Sequence, residues 1–271
     1  MSSSAAINSR QDQVAVVTGA GRGMGRQIVW SLASTGTHVV AAARTASDLA
    51  RTVAGGPSGC TIIPRPCDVS DPDDVDALFD DILEEHGRVD VLVCSHGFYR
   101  GGRSALELPL TQFDRTMAVN LRGTFHCSQR AGLAMRAGCR GGRIVLISSI
   151  NGEASQTGAA DYDISKAAVN GLCRALAVEL ARDAVTVNAI APGWIRTPMS
   201  AEELDQLEPT GIALNPSHRV GLPEDIALAV MWLTDPENAY VTGTVIRIDG
   251  GQGAALLDPA GVVPTGDRPP L

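Results

Sequence analysis

The sequence predicts an α/β protein, a single domain built on a doubly wound parallel sheet of seven strands with helices on both faces. Three observations carry this. Short β-branched runs alternate with amphipathic helical stretches along the 271 residues. Several strand-like runs are apolar on both faces, as strands are when helices cover a parallel sheet on each side. A glycine-rich turn joins the first strand directly to the first helix.

The first strand, Val14–Thr18, runs into Thr18-Gly19-Ala20-Gly21-Arg22-Gly23-Met24-Gly25 and a helix over 24–35. Gly19 permits the tight turn, Gly23 lets backbone approach a pyrophosphate, and Gly25 allows close helix–strand packing. The helix N-terminus presents free N–H groups and a positive dipole end to phosphates, the arrangement of a Rossmann-type fold. The second strand, His38–Ala43, continues as Arg44-Thr45 into a helix over 46–53, with no carboxylate until Asp48. An acidic residue at that strand end would bind the adenosine ribose and repel a 2′-phosphate. Arg44, joined by Arg22, suits a 2′-phosphate instead, so NADP(H) is predicted in preference to NAD(H).

The remaining strands are Thr61–Pro64, Val89–Cys94, Arg143–Ser148, Thr186–Ile190 and Thr244–Ile248. Helical patterns over 72–86, 111–137, 161–182, 200–207 and 223–234 separate them, and right-handed crossovers complete the sheet. Residues 1–12 read as a flexible, Ser-rich segment, 13–253 as the domain, and 254–271 as a Pro-rich, irregular tail.

Composition narrows the function. Hydrophobic residues make up 44% and charged residues 19%, enough for a sizeable core. A net charge of −8 disfavours nucleic acid and anionic membrane as partners. The six cysteines form no CxxC pair and no metal-ligand rhythm with the five histidines, so no metal is expected. No apolar core marks a signal peptide in residues 1–12 and no run is long enough to span a bilayer, so the cytoplasm is the expected compartment.

Lys166 is the only lysine, four residues after Tyr162, in a chain that otherwise uses arginine for its fixed side-chain cations. Lysine is a compact charge whose pKa moves on burial, whereas arginine effectively never gives up its proton. One helical turn apart, the two side chains share a face.

Together these residues resemble the classical short-chain dehydrogenase/reductase family over about residues 12–252. Thr18 to Gly25 match its TGxxxGxG motif, and Tyr162 with Lys166 its YxxxK motif. Ser149 stands thirteen residues before the tyrosine, as the family's catalytic serine does, and Asn120 matches the asparagine of the fourth helix. The resemblance implies a catalytic set of Asn120, Ser149, Tyr162 and Lys166. It also implies cofactor contacts from Gly19, Gly21, Arg22, Gly23, Met24, Gly25, Arg44 and Thr45, and from Asp68-Val69 at the adenine. Pro192-Gly193, Ile195 and Thr197 are expected over the nicotinamide, with Tyr162 and Lys166 beside its ribose. One stretch departs from the family. Its NNAG reads Cys94-Ser95-His96-Gly97, so both asparagines that brace the sheet are lost. Ser95 is expected to supply part of that bracing, and His96 a structural or cofactor contact, with Gly97 keeping the backbone permissive.

Mechanistically, the Lys166 ammonium and the cofactor's positive ring are expected to draw the Tyr162 phenol from about 10 towards neutrality. Ser149 would polarise the substrate oxygen. The resemblance implies that Asn120 holds a water linking Lys166 to solvent. His38 and His126 read as packing or surface residues, Glu202 and Glu203 as carboxylates at a helix start, and Asp161 and Asp163 as solvent-facing.

Substrate contacts are expected from segments 98–105, 150–157 and a lid over 194–218. Phe98, Ile150, Glu153, Gln156, Trp194 and Met199 are the chosen residues, with Leu204 and Ile212 among other apolar lid residues. The mixture suits a moderately large, mostly apolar ketone or secondary alcohol. A 3-oxoacyl thioester and a terpenoid, steroid or polyketide-like carbonyl are both compatible. The rival reading is a catalytically silent NADP-binding regulator, against which the complete Ser149–Tyr162–Lys166 set argues. An epimerase or dehydratase would need a longer C-terminal substrate domain. The resemblance further implies a homo-oligomer, a tetramer or dimer, joined through the helices near 111–137 and 161–182.

Overall fold

Successive residues of Val14–Thr18 (β1) enter different cores: Val14 and Val16 pack on one face of the sheet, Ala15 and Val17 on the other. Full burial of such a valine contributes about 1.5–3 kcal/mol. That two-sided demand is why these strands are apolar throughout. In the computed structural model, which describes residues 10, 13–207, 209 and 214–255, six further strands extend the sheet. They are His38–Ala43 (β2), Ile62–Pro66 (β3), Val91–Cys94 (β4), Gly142–Ile147 (β5), Val185–Pro192 (β6) and Val245–Ile248 (β7). The order is β3-β2-β1-β4-β5-β6-β7, with every neighbouring pair parallel. The predicted fold class is therefore the observed one. Expectations for residues 1–9, 11–12 and 256–271, and for Ile212, fall outside the described residues.

Strand order reverses between β1 and β4, and the crevice at their C-terminal ends is where such sheets bind ligands. β3 runs two residues further than predicted, to Pro66. It is an edge strand, where a missing N–H is tolerated.

Helices Gly23–Ala33 (α1), Ala46–Ala54 (α2) and Pro72–His86 (α3) follow the first three strands. Asp71 caps α3 by accepting from Asp73 N, and Pro72 occupies the first turn, where its missing N–H costs nothing. The helix predicted over 111–137 is three pieces. Leu110–Met117 (α4) widens into a π-helical turn over Ala118–Gly123 and resumes as Thr124–Gly138 (α5). The Thr124 hydroxyl, at the start of α5, donates back to Asn120 O in that turn at 2.7 Å, and Asn120 is buried. π-Turns gather at functional sites because the extra residue re-aims a side chain. Ala160–Leu180 (α6), Ala201–Leu207 (α7) and Pro223–Leu233 (α8) complete the layers. No helix among the described residues is long and apolar enough to cross a membrane.

Candidate active site

One continuous cleft runs over the C-terminal ends of β1, β2 and β4. Gly19, Gly21, Arg22, Gly23, Met24 and Gly25 line it from the first turn, and Arg44 and Thr45 from the end of β2. Asp68, Val69, Ser95, His96, Gly97 and Phe98 line the rest. Gly19 is required by close approach: it has φ +67, and a Cβ there would lie 2.6 Å from His96 N. Arg22 makes no side-chain cap on α1 and no acidic residue sits in the first turn, so the helix N-terminus is open to an anion. The Ser95 hydroxyl is buried in the cleft with no protein partner. An orphaned donor beside an uncapped helix start fits a dinucleotide. At the β2 end of the cleft Arg44 is largely exposed, 3.9 Å from Asp68. Asp48, whose Cβ packs near Gly21, is ion-paired with Arg51.

Ser95 therefore does not brace the sheet. His96 does. Its Nδ1 lies 2.6 Å from the Thr18 hydroxyl and its Nε2 3.0 Å from Thr124 Oγ1. Burial first, and the Lys166 charge second, push its pKa down to about 3, so it stands neutral. The Thr124 hydroxyl is already given to Asn120 O, which assigns the ring proton to Nε2 and makes Thr18 the donor to Nδ1.

The second part of the site lies at the end of β5. Ser149 follows that strand, and Tyr162 and Lys166 stand one turn apart on α6. Ser149 stands beside the Tyr162 phenol and pulls its pKa down. The Ser149 Oγ accepts from Asn151 N at 3.1 Å. Lys166 Nζ lies 5.5 Å from the Tyr162 ring centroid and donates to Ile147 O at 2.8 Å. Gly152 lets this loop meet α6, since a Cβ there would lie 2.9 Å from the Lys166 carbonyl. Burial pushes Lys166 down to about 8 and Tyr162 up to about 12, with Ser149 opposing and Asp163 reinforcing the tyrosine shift. The expected drift of the phenol towards neutrality is thus absent from the protein alone, because desolvation outweighs the opposing influence of Ser149. Asn120 is engaged too, accepting from Phe98 N at 2.7 Å and donating to Phe98 O and Ser165 Oγ at 3.0 Å each. Gly97 separates this buried pair from the cleft: its ideal Cβ lies 3.9 Å from Asn120 Oδ1 and 4.0 Å from Lys166 Nζ.

Asp161 and Asp163 overturn the solvent expectation, since both are buried. Asp161 accepts from Thr116 at 2.6 Å and Gln112 at 3.3 Å. Asp163 accepts from Asn151 Nδ2 at 2.7 Å and Gln156 N at 3.0 Å. α4 and the 150–157 loop cover the start of α6 and supply these donors.

Beside Ser149 and Tyr162 opens a pocket lined by Ile150, Gln156, Pro192, Gly193, Trp194, Ile195, Thr197 and Met199. Met24, Thr197 and Met199 also line the cleft, so the two spaces adjoin. Three substrate expectations land elsewhere. Phe98 lines the cleft, with the Arg115 guanidinium 4.6 Å from its ring centroid. Glu153 pairs with Arg247 at 3.0 Å, and Leu204 is fully buried in the core. Glu203, read from sequence as a helix-start carboxylate, faces the pocket and accepts from the Tyr99 hydroxyl at 3.2 Å. A Glu-Glu pair opening a helix carries no signal that distinguishes these roles.

A family model described as enoyl-(acyl carrier protein) reductase matches residues 19–252. The chain belongs to the short-chain dehydrogenase/reductase family. It is 37% identical to a short-chain dehydrogenase/reductase of Armillaria gallica, over 91% of this chain and 98% of that one. It is 38% identical to a 3-oxoacyl-[acyl-carrier-protein] reductase of Synechocystis, over 88% and 96%. Levodione reductase superposes with a TM-score of 0.86 at 32% identity, covering 91% of this chain and 99% of that chain. As a family member the protein is a nicotinamide-dependent oxidoreductase acting on CH–OH or C=O groups.

Proposed function

We propose that this short-chain dehydrogenase/reductase is an NADP(H)-dependent carbonyl reductase in which Tyr162 is the proton donor. The observation that carries the reading is the Tyr162 phenol itself. It lines a mostly apolar pocket together with Ser149, and burial pushes its pKa up to about 12, so it stands protonated. A protonated phenol is the form that reduction needs, because the oxygen gains a proton as the carbon gains hydride.

The dihydronicotinamide, when bound, supplies the hydride. The chain's residues do the rest. Ser149 donates a hydrogen bond to the carbonyl oxygen and steadies the charge that develops as the C=O π pair moves onto it. Tyr162 passes its proton to that oxygen, giving the alcohol. Lys166, buried and poised at about 8, returns a proton to the tyrosine and recovers its own from solvent. Asn120 holds the turn that closes over this pair, through both backbone groups of Phe98. Arg22 and Arg44 at the adenosine end support NADP(H), the nearby Asp48 carboxylate being occupied by Arg51.

NADPH oxidation against a panel of apolar ketones tests the reading. Turnover with at least one of them is expected. Tight NADPH binding without oxidation by any carbonyl would favour a cofactor-binding regulator.

A further inference from the structure

We propose that Glu203 turns the reaction pocket into a charge filter that admits uncharged carbonyl compounds and rejects carboxylates. The inference rests on the carbonyl-reductase reading and names its substrate class. Among the described residues lining the pocket Glu203 is the sole carboxylate, and none of them is Lys, Arg or His. Among the described residues between Arg196 and His218 none is basic, while Glu202, Glu203 and Asp205 fall in that stretch. The flanking cations already have acidic partners. Arg196 pairs with Asp205 at 3.0 Å, Arg219 with Asp225 at 2.7 Å, and Arg247 with Glu153 at 3.0 Å.

The carboxylate is also held in place. Tyr99 donates to Glu203 Oε1 at 3.2 Å, and the Tyr99 ring stands edge-on to Tyr162 with centroids 5.1 Å apart. The negative charge therefore sits one aromatic ring away from the proton donor. Oε2 accepts no hydrogen bond among the described residues, leaving it available to a substrate hydroxyl. A second carboxylate brought to the pocket would face like charge in a partly desolvated space whose described lining holds no cation, Lys166 being buried outside that lining, 5.5 Å from the Tyr162 ring centroid. An uncharged, largely apolar ketone, with or without a hydroxyl, meets no such penalty.

The test uses a 4-oxoalkanoate and its methyl ester, which differ at one end by a charge. Wild type and Glu203→Gln, each with NADPH, are titrated calorimetrically with both compounds, and NADPH oxidation is followed in parallel. Wild type is expected to prefer the ester by roughly tenfold or more in Kd and kcat/KM. Glu203→Gln should bring that ratio close to one, and Glu203→Arg should invert it. An ester-to-acid ratio that is the same in wild type and Glu203→Gln, with both proteins folded by circular dichroism, overturns the filter. Discrimination in binding that collapses in the variant, with no oxidation in either protein, supports the filter and overturns the reductase reading.

Discussion

The His96 imidazole ties the end of β1 to the start of α5, with Nδ1 2.6 Å from the Thr18 hydroxyl and Nε2 3.0 Å from that of Thr124. It takes over the bracing that two asparagines give elsewhere in the family, from a position one residue further along. Removing it as His96→Ala leaves a cavity and takes one hydrogen bond from each of two buried hydroxyls, which keep only Val93 O and Asn120 O as acceptors. A loss of about 2–4 kcal/mol in unfolding free energy is expected by denaturant titration.

The same residue sets a pH dependence. Folded His96 titrates at about 3 against an ordinary 6.5. The unfolded chain therefore takes up a proton first as pH falls. The stability linked to neutral His96 is complete above about 6.5 and drains away towards about 3, by up to about 1.4 kcal/mol per pH unit. His96→Gln should flatten this part of the acid limb in a series of melting temperatures; an unchanged slope relative to wild type would assign the limb to other groups.

Tyr162→Phe removes the proton donor and keeps the ring that packs on Tyr99. A fall of about 10²–10⁴ in kcat is expected. NADPH affinity, read by fluorescence titration, should change little. Near-normal turnover would remove Tyr162 from the chemistry.

Lys166→Arg keeps the charge and loses the chemistry. Lys166 is buried, reaches Ile147 O at 2.8 Å and is poised at about 8. A guanidinium is wider than this space and does not release a proton near neutrality. A drop in kcat of roughly a hundredfold is expected, whereas full activity would make the lone lysine incidental.

Asp163→Asn separates the two influences of a buried charge. Asp163 raises the Tyr162 phenol and, through Asn151, holds the loop that places Ser149. Reduction needs the protonated phenol, so kcat/KM falls as pH rises through its pKa. With the carboxylate gone that fall should begin at lower pH, alongside a roughly tenfold loss in kcat from the loosened loop. A lower kcat with an unmoved pH profile would leave Asp163 a positioning residue alone.

Arg44→Ala should raise KM for NADPH roughly tenfold and leave that for NADH within about twofold. Equal effects on both cofactors would take Arg44 out of a 2′-phosphate site.

Much of the molecule is written in local spacing. The strand–helix alternation, the turn from Gly19 to Gly25 and the Tyr162–Lys166 pair each depend on neighbours within a turn or two. Their physical demands therefore show as period, glycine or a fixed interval. The tertiary structure alone decided what depends on packing between distant segments. Asp161 and Asp163 are buried because α4 and the 150–157 loop cover them, and a helix's own sequence does not record what lies against it. His96 became the brace, and Ser95 the orphan, through hydroxyls that lie 78 and 28 positions from His96. Glu203 joined the pocket through Tyr99, 104 residues away, because the start of α7 meets the segment that follows β4. Such contacts have no periodic trace, since burial and pairing are fixed by which surfaces meet.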